Sequence, residues 1–138
     1  MEKITAAVDS WLKDRPTMEL NNTPVQILHL LCAEVGELCE AGGTQTNTEL
    51  KQNKEFHREL ADVLLFTLSL FRQLGVDPVE ETMDKVAFNM LRYPAKDYQE
   101  TPFEEAMAMN RERTSMIGLK GEFYKSPVHS PYSVTVVI

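Results

Sequence analysis

Apolar residues recur along this chain at three- and four-residue intervals, in blocks separated by proline, glycine or short polar stretches. The pattern predicts helices joined by brief breaks. Ile4, Val8, Trp11 and Leu12 share a face of a helix expected over 3–14, which stops before Arg15-Pro16. A polar stretch from Glu19 to Thr23 leads to Pro24, suited to a first helical turn with Thr23 as its cap. That helix runs to about Ala41, where Gly42-Gly43 ends it, and the polar segment 44–53 reads as a loop with room for one helical turn.

From about Lys54 to Leu74 a long helix is expected, and its LADVLLFTLSLF run is too apolar for one wet face, which predicts a central position. Gly75 ends it. Asp77 then caps a fourth helix opened by Pro78, and this closes at Tyr93-Pro94 because a residue before proline is pushed out of the α region. Thr101-Pro102 opens a fifth, expected to reach about Arg113. The last eight residues, PYSVTVVI, have the β-branched content of a strand. The expected fold is all-α. A four-helix-bundle core occupies 1–97, and a C-terminal helix with an extended tail, 98–138, belongs to the same domain.

Composition narrows the function classes. The 138 residues suit one domain, and 43% hydrophobic with 25% charged residues is ordinary for a soluble globular protein. A net charge of −7 argues against nucleic acid as a partner, since neutralising its backbone needs clustered Lys and Arg. No apolar run is long enough to suggest a membrane span or a membrane partner. The start, MEKITAAVDSW, lacks the basic and apolar blocks of a signal peptide, so a cytoplasmic location is expected. Cys32 and Cys39 lie seven apart in a predicted helix, about 10.5 Å along its axis, too far for a disulfide. Both are expected to be buried thiols.

The chemistry concentrates in two acidic pairs, Glu34-x-x-Glu37 and Glu59-x-x-Asp62. Positions three apart share a helical face, so each pair presents two carboxylates together. Leu30, Leu31, Val35 and Leu38 surround the first pair, and Leu60, Val63, Leu64 and Phe66 the second. Acids in such a setting repel one another and lose hydration unless a cation compensates. Four oxygen donors on facing helices are what Mg²⁺ accepts. Solvated edges making surface ion pairs are the bland alternative, and it weakens when two pairs fall on consecutive helices. A carboxylate-bridged di-iron site needs Glu-x-x-His, and none of His29, His57 or His129 has Glu three positions earlier. His29 is expected to pack within an apolar face and His57 to be exposed.

The fourth helix offers the complement. Lys85, Asn89 and Arg92 at i, i+4 and i+7 lie along one face, where they can follow a polyphosphate. The lone Trp11 reads first as a core residue, with stacking on a base as the alternative.

With these pieces in place, the chain resembles the MazG-like, all-α NTP pyrophosphatase superfamily, nearest in pattern to its dCTP pyrophosphatase branch. The matching segments are PVQILHLLCAEVGELCE at 24–40, ELADVLLF at 59–66 and KVAFNMLRYP at 85–94. They supply the pattern E-x-x-E, a spacer of 21 residues, E-x-x-D, and the ending K-x-x-x-N-x-x-R-Y-P. The resemblance covers roughly 20–97. It implies that Glu34, Glu37, Glu59 and Asp62 hold one or more Mg²⁺ ions, for which Mn²⁺ substitutes. It implies also that Lys85, Asn89 and Arg92 contact phosphates and that Tyr93 closes the pocket against sugar or base. The implied reaction cleaves a (deoxy)nucleoside triphosphate between its α and β phosphates, giving the monophosphate and pyrophosphate, in nucleotide-pool house-cleaning. Glu34 or Glu37 would serve as general base, and a homodimer or homotetramer is expected. Asn22-Thr23-Pro24 stands where dCTP-selective relatives carry H-Q-P, which leaves the preferred base open. The alternative function is a nucleotide-binding or helical interaction module without turnover.

Overall fold

The computed structural model describes residues 1–99 and 101–120, and among them every regular element is a helix. The all-α expectation therefore holds. The chain forms two compact units divided after Pro78. The first holds α1 (Glu2–Lys13), a single 3-10 turn (Glu19–Asn21), α2 (Pro24–Gly42), α3 (Asn47–Gln52) and α4 (Lys54–Leu74). The second holds α5 (Pro78–Arg92), α6 (Ala95–Gln99) and α7 (Phe103–Lys120). The four helices expected to group as a bundle thus come three from the first unit and one from the second. No helix of the described residues is long and apolar enough to cross a membrane.

In the first unit α2, α3 and α4 each open on a side-chain cap, whereas α1 starts without one. Thr23 caps α2 reciprocally with Gln26: the Gln26 N–H donates to Thr23 Oγ1 at 3.4 Å, and the Thr23 N–H donates to Gln26 Oε1 at 3.2 Å. The same device opens α3, where Glu49 accepts from the Thr46 N–H at 2.7 Å and from its hydroxyl at 2.9 Å. Those bonds favour the carboxylate and hold Glu49 below the usual range. Asn53 caps α4 by accepting from the Phe56 N–H at 3.0 Å. Its amide nitrogen meanwhile donates to the Ala41 carbonyl at 3.1 Å, tying the end of α2 to the start of α4. Gly42 lets the two helices meet there, since a Cβ would come within 3.1 Å of the Phe56 ring. At the far end Gly75 adopts φ 67°, a left-handed position that glycine takes without strain.

Packing follows the apolar faces. α2 and α4 lie against each other, and α1 and the 3-10 turn pack on α4. Val8 and Leu12 of α1, Leu20 of the turn, Ile27 of α2, and Phe66 and Leu68 of α4 form the buried cluster, with Trp11 packed at its edge. Ile4, expected on the same face as Val8, stays exposed. The second unit buries Ala87, Phe88 and Ala106, and Tyr98 stacks edge-on against Tyr93 with centroids 5.6 Å apart.

Several expectations need correction. Cys32 and Cys39 are exposed thiols, not buried ones. They share with Val25, Leu28 and Val35 the face of α2 that turns away from α4. His29 is exposed as well, because it sits two positions, or about 200°, beyond the buried Ile27. His57 is exposed, as expected, with Nε2 2.9 Å from the Leu50 carbonyl. α4 is less enclosed than its composition suggests, since Leu60 and Leu64 keep 50% and 38% of their surface. α7 continues seven residues past Arg113, to Lys120, because Thr114 and Ser115 disfavour helix by only a few tenths of a kcal/mol. The strand expected at 131–138 lies outside the described residues.

Candidate metal centre

The i, i+3 spacing does what it predicts on α4: Glu59 and Asp62 project together from one turn. Glu34 reaches them from α2. One carboxylate oxygen from each of these three residues lies within 4.8 Å of the others, all three being half-buried. Glu37, the fourth expected ligand, lines the same cleft but is exposed and stands outside this group. Among the described residues, no cation or hydrogen-bond donor is paired with any of the four carboxylates.

The electrostatics follow from that isolation. Glu34 is raised above its ordinary value of 4.5, first by burial and then by the charges of Glu37, Asp62, Glu59 and Glu19. Glu59 is raised in the same way, by burial and then by Glu37, Asp62 and Glu55. The apolar surround is thinner than the sequence suggests, because Val35, Leu60 and Leu64 are exposed. Burial is still the first cause of both shifts, with the repulsion of neighbouring carboxylates next.

A raised acid binds more protons folded than unfolded between its ordinary value and its folded value. Its ionisation therefore costs stability as pH rises through that window. Glu34→Gln removes one such group. Between pH 7 and about 5, the chelated wild type should gain more melting temperature on acidification than Glu34→Gln does. Equal slopes in calorimetric scans would show that Glu34 carries no such penalty.

The cleft above the acids has a volume of about 540 Å³, within the range of small-molecule sites. Trp11, Thr17, Met18, Glu19 and Leu20 form its other side, and Leu65 and Phe66 its apolar floor. The sequence pattern reads Glu19 to Thr23 as a polar stretch and singles out neither Met18 nor Leu20. The signal available was Leu20, an isolated large apolar residue amid polar ones, and it is buried.

The basic row lies on α5, in the second unit. Lys85 Nζ and the Arg92 guanidinium both stand over the Phe88 ring, 5.1 and 5.7 Å from its centroid, and Arg92 also stacks on Tyr93 at 5.0 Å. Asn89 lies between them in sequence, its Oδ1 buried without a partner among the described residues. The structure thus gathers Glu34, Glu59 and Asp62 in one unit and Lys85, Asn89, Arg92 and Tyr93 in the other.

No family model matches the chain, and comparisons with curated proteins and with solved structures gave no match.

Proposed function

We propose that this chain belongs to the MazG-like NTP pyrophosphatase superfamily and hydrolyses a (deoxy)nucleoside triphosphate to the monophosphate and pyrophosphate, with Mg²⁺. The observation that carries the proposal is the group of three carboxylate oxygens within 4.8 Å, drawn from two packed helices and without a counter-charge. Oxygens around one octahedral Mg²⁺ are at most about 4.2 Å apart, so small side-chain rotations bring this set to fit. Glu34, Glu59 and Asp62 would hold the ion. Bound there, Mg²⁺ supplies charge neutralisation at the phosphoryl oxygens and the leaving pyrophosphate.

The chain's own groups do the rest. Glu37, left outside the trio, accepts the proton of the attacking water. That water bonds to phosphorus as the P–O bond bridging the α and β phosphates breaks, and pyrophosphate leaves. Lys85, Asn89 and Arg92 enter through the resemblance as phosphate contacts, and Tyr93 as a cover over sugar or base. The apolar floor and Trp11 give the organic half of a nucleotide a place beside the acids. A homodimer or homotetramer in the cytoplasm completes the proposal. The outer face of α2, uncharged from Val25 to Cys39, supports self-association.

The decisive experiment is a panel of canonical and modified NTPs and dNTPs assayed with Mg²⁺, with products resolved by chromatography. At least one should yield monophosphate and pyrophosphate, with turnover restored by Mn²⁺ and abolished by EDTA. Nucleoside diphosphate plus orthophosphate, or full turnover after verified metal removal, would reject the assignment.

A further inference from the structure

The two sides of the acid cleft are built differently. Glu34, Glu59 and Asp62 stand on α2 and α4, which brace each other. The facing side is the connection from α1 to α2, from which Thr17, Met18, Glu19 and Leu20 line the cleft. Apart from its single 3-10 turn this connection has no regular structure. Fixing such a segment costs roughly 1–2 kcal/mol of backbone entropy per residue, so something must hold it.

Leu20 anchors it in the core, and one polar side chain ties it to both α1 and α4. Asn21 Nδ2 donates to the Leu12 carbonyl at 3.0 Å and to the Arg15 carbonyl at 2.6 Å, reaching back to the end of α1, where a helix leaves acceptors over. Asn21 Oδ1 accepts from Arg72 Nη1 of α4 at 2.7 Å. Arg72 is itself fixed, its Nε donating to the Asp9 carboxylate of α1 at 2.8 Å. An amide has two N–H donors and one carbonyl, and this site uses all of them, a set that neither carboxylate nor hydroxyl can supply. Asp9, Arg72 and Asn21 themselves do not line the acid cleft.

We propose that Asn21, anchored by Arg72, is a positioning residue that holds the Thr17–Leu20 wall over the acids and so shapes substrate binding, an inference that rests on the nucleotide-cleaving role proposed above. It acts on the wall and not on the metal ligands, which α2 and α4 place independently.

In the nucleotide assay, Asn21→Ala should raise the substrate KM by about tenfold or more. Affinity for Mn²⁺ alone, measured by titration calorimetry, should stay within about twofold. Asn21→Asp keeps the shape and the acceptor toward Arg72 but lacks both donors. It should reproduce the KM rise, and it takes the place of the alanine variant if that one does not fold. A second readout needs no turnover: Trp11, the chain's one tryptophan, lines the cleft, so a freed wall should raise acrylamide quenching of its fluorescence in both variants. A wild type that cleaves no nucleotide rejects the parent proposal alone, and the quenching then decides. The positioning role is overturned by an unchanged KM, by Mn²⁺ affinity that falls in step with KM, or by unchanged quenching in a folded Asn21→Asp.

Discussion

Asp62→Asn should lower Mg²⁺-supported turnover by about a hundredfold or more while leaving the metal-free protein at least as stable as the wild type. The substitution keeps the shape of the side chain and removes one negative charge from a group whose oxygens lie within 4.8 Å of one another. Metal affinity must fall, because an amide oxygen is a weaker partner for a hard cation than a carboxylate. Stability moves the other way. Asp62 is among the charges that raise both Glu34 and Glu59, so its loss relieves repulsion that no cation offsets. A structural salt bridge would give the opposite sign, since deleting one partner of a buried pair costs about 3–5 kcal/mol. Turnover by the panel assay and melting of the chelated protein separate the two. A variant that melts clearly lower without metal yet keeps wild-type turnover would falsify the site.

What the sequence made legible is local. Thr23-Pro24 and Gly75 mark helix ends through bonds or backbone angles that span only a few residues, and the structure places them there. Of the four acids expected together, the three that do gather were legible for the same reason. Three-residue spacing fixes Glu59 beside Asp62, and the packing of α2 on α4 brings Glu34 to them. What stayed hidden depends on distant partners. The cleft wall at Met18, Glu19 and Leu20 is held through Asn21 by Arg72, 51 positions away, and no local pattern encodes that bond. The outward turn of Cys32, Cys39 and His29 was hidden differently. α2 is apolar on both faces, so periodicity alone could not say which one meets α4. Glu37 shows the limit of the spacing rule, since the same three-residue step that keeps Asp62 beside Glu59 leaves Glu37 exposed and outside the trio.

Ile27→Ala should cost the first unit about 2–5 kcal/mol. Ile27 is fully buried, 0% exposed, against residues from α1, the 3-10 turn and α4, so the void has neighbours on every side that cannot all collapse into it. For a unit of this size a 3 kcal/mol loss lowers the thermal midpoint by roughly 12–24 °C. Val25→Ala, two positions earlier on the exposed face, should stay within about 0.5 kcal/mol. The large loss also makes Ile27→Ala a sensitive background for the metal site. Ile27 and Glu34 are seven apart on α2, so both face α4, and a cation bridging α2 to α4 stabilises the packing that the substitution weakens. Binding to the folded form alone restores about 2.7 kcal/mol at a hundredfold excess over Kd. Mg²⁺ should therefore return much of the lost midpoint to Ile27→Ala, and almost none to Ile27→Ala combined with Asp62→Asn. Equal recovery in both would mean that the ion binds somewhere other than the trio of carboxylates.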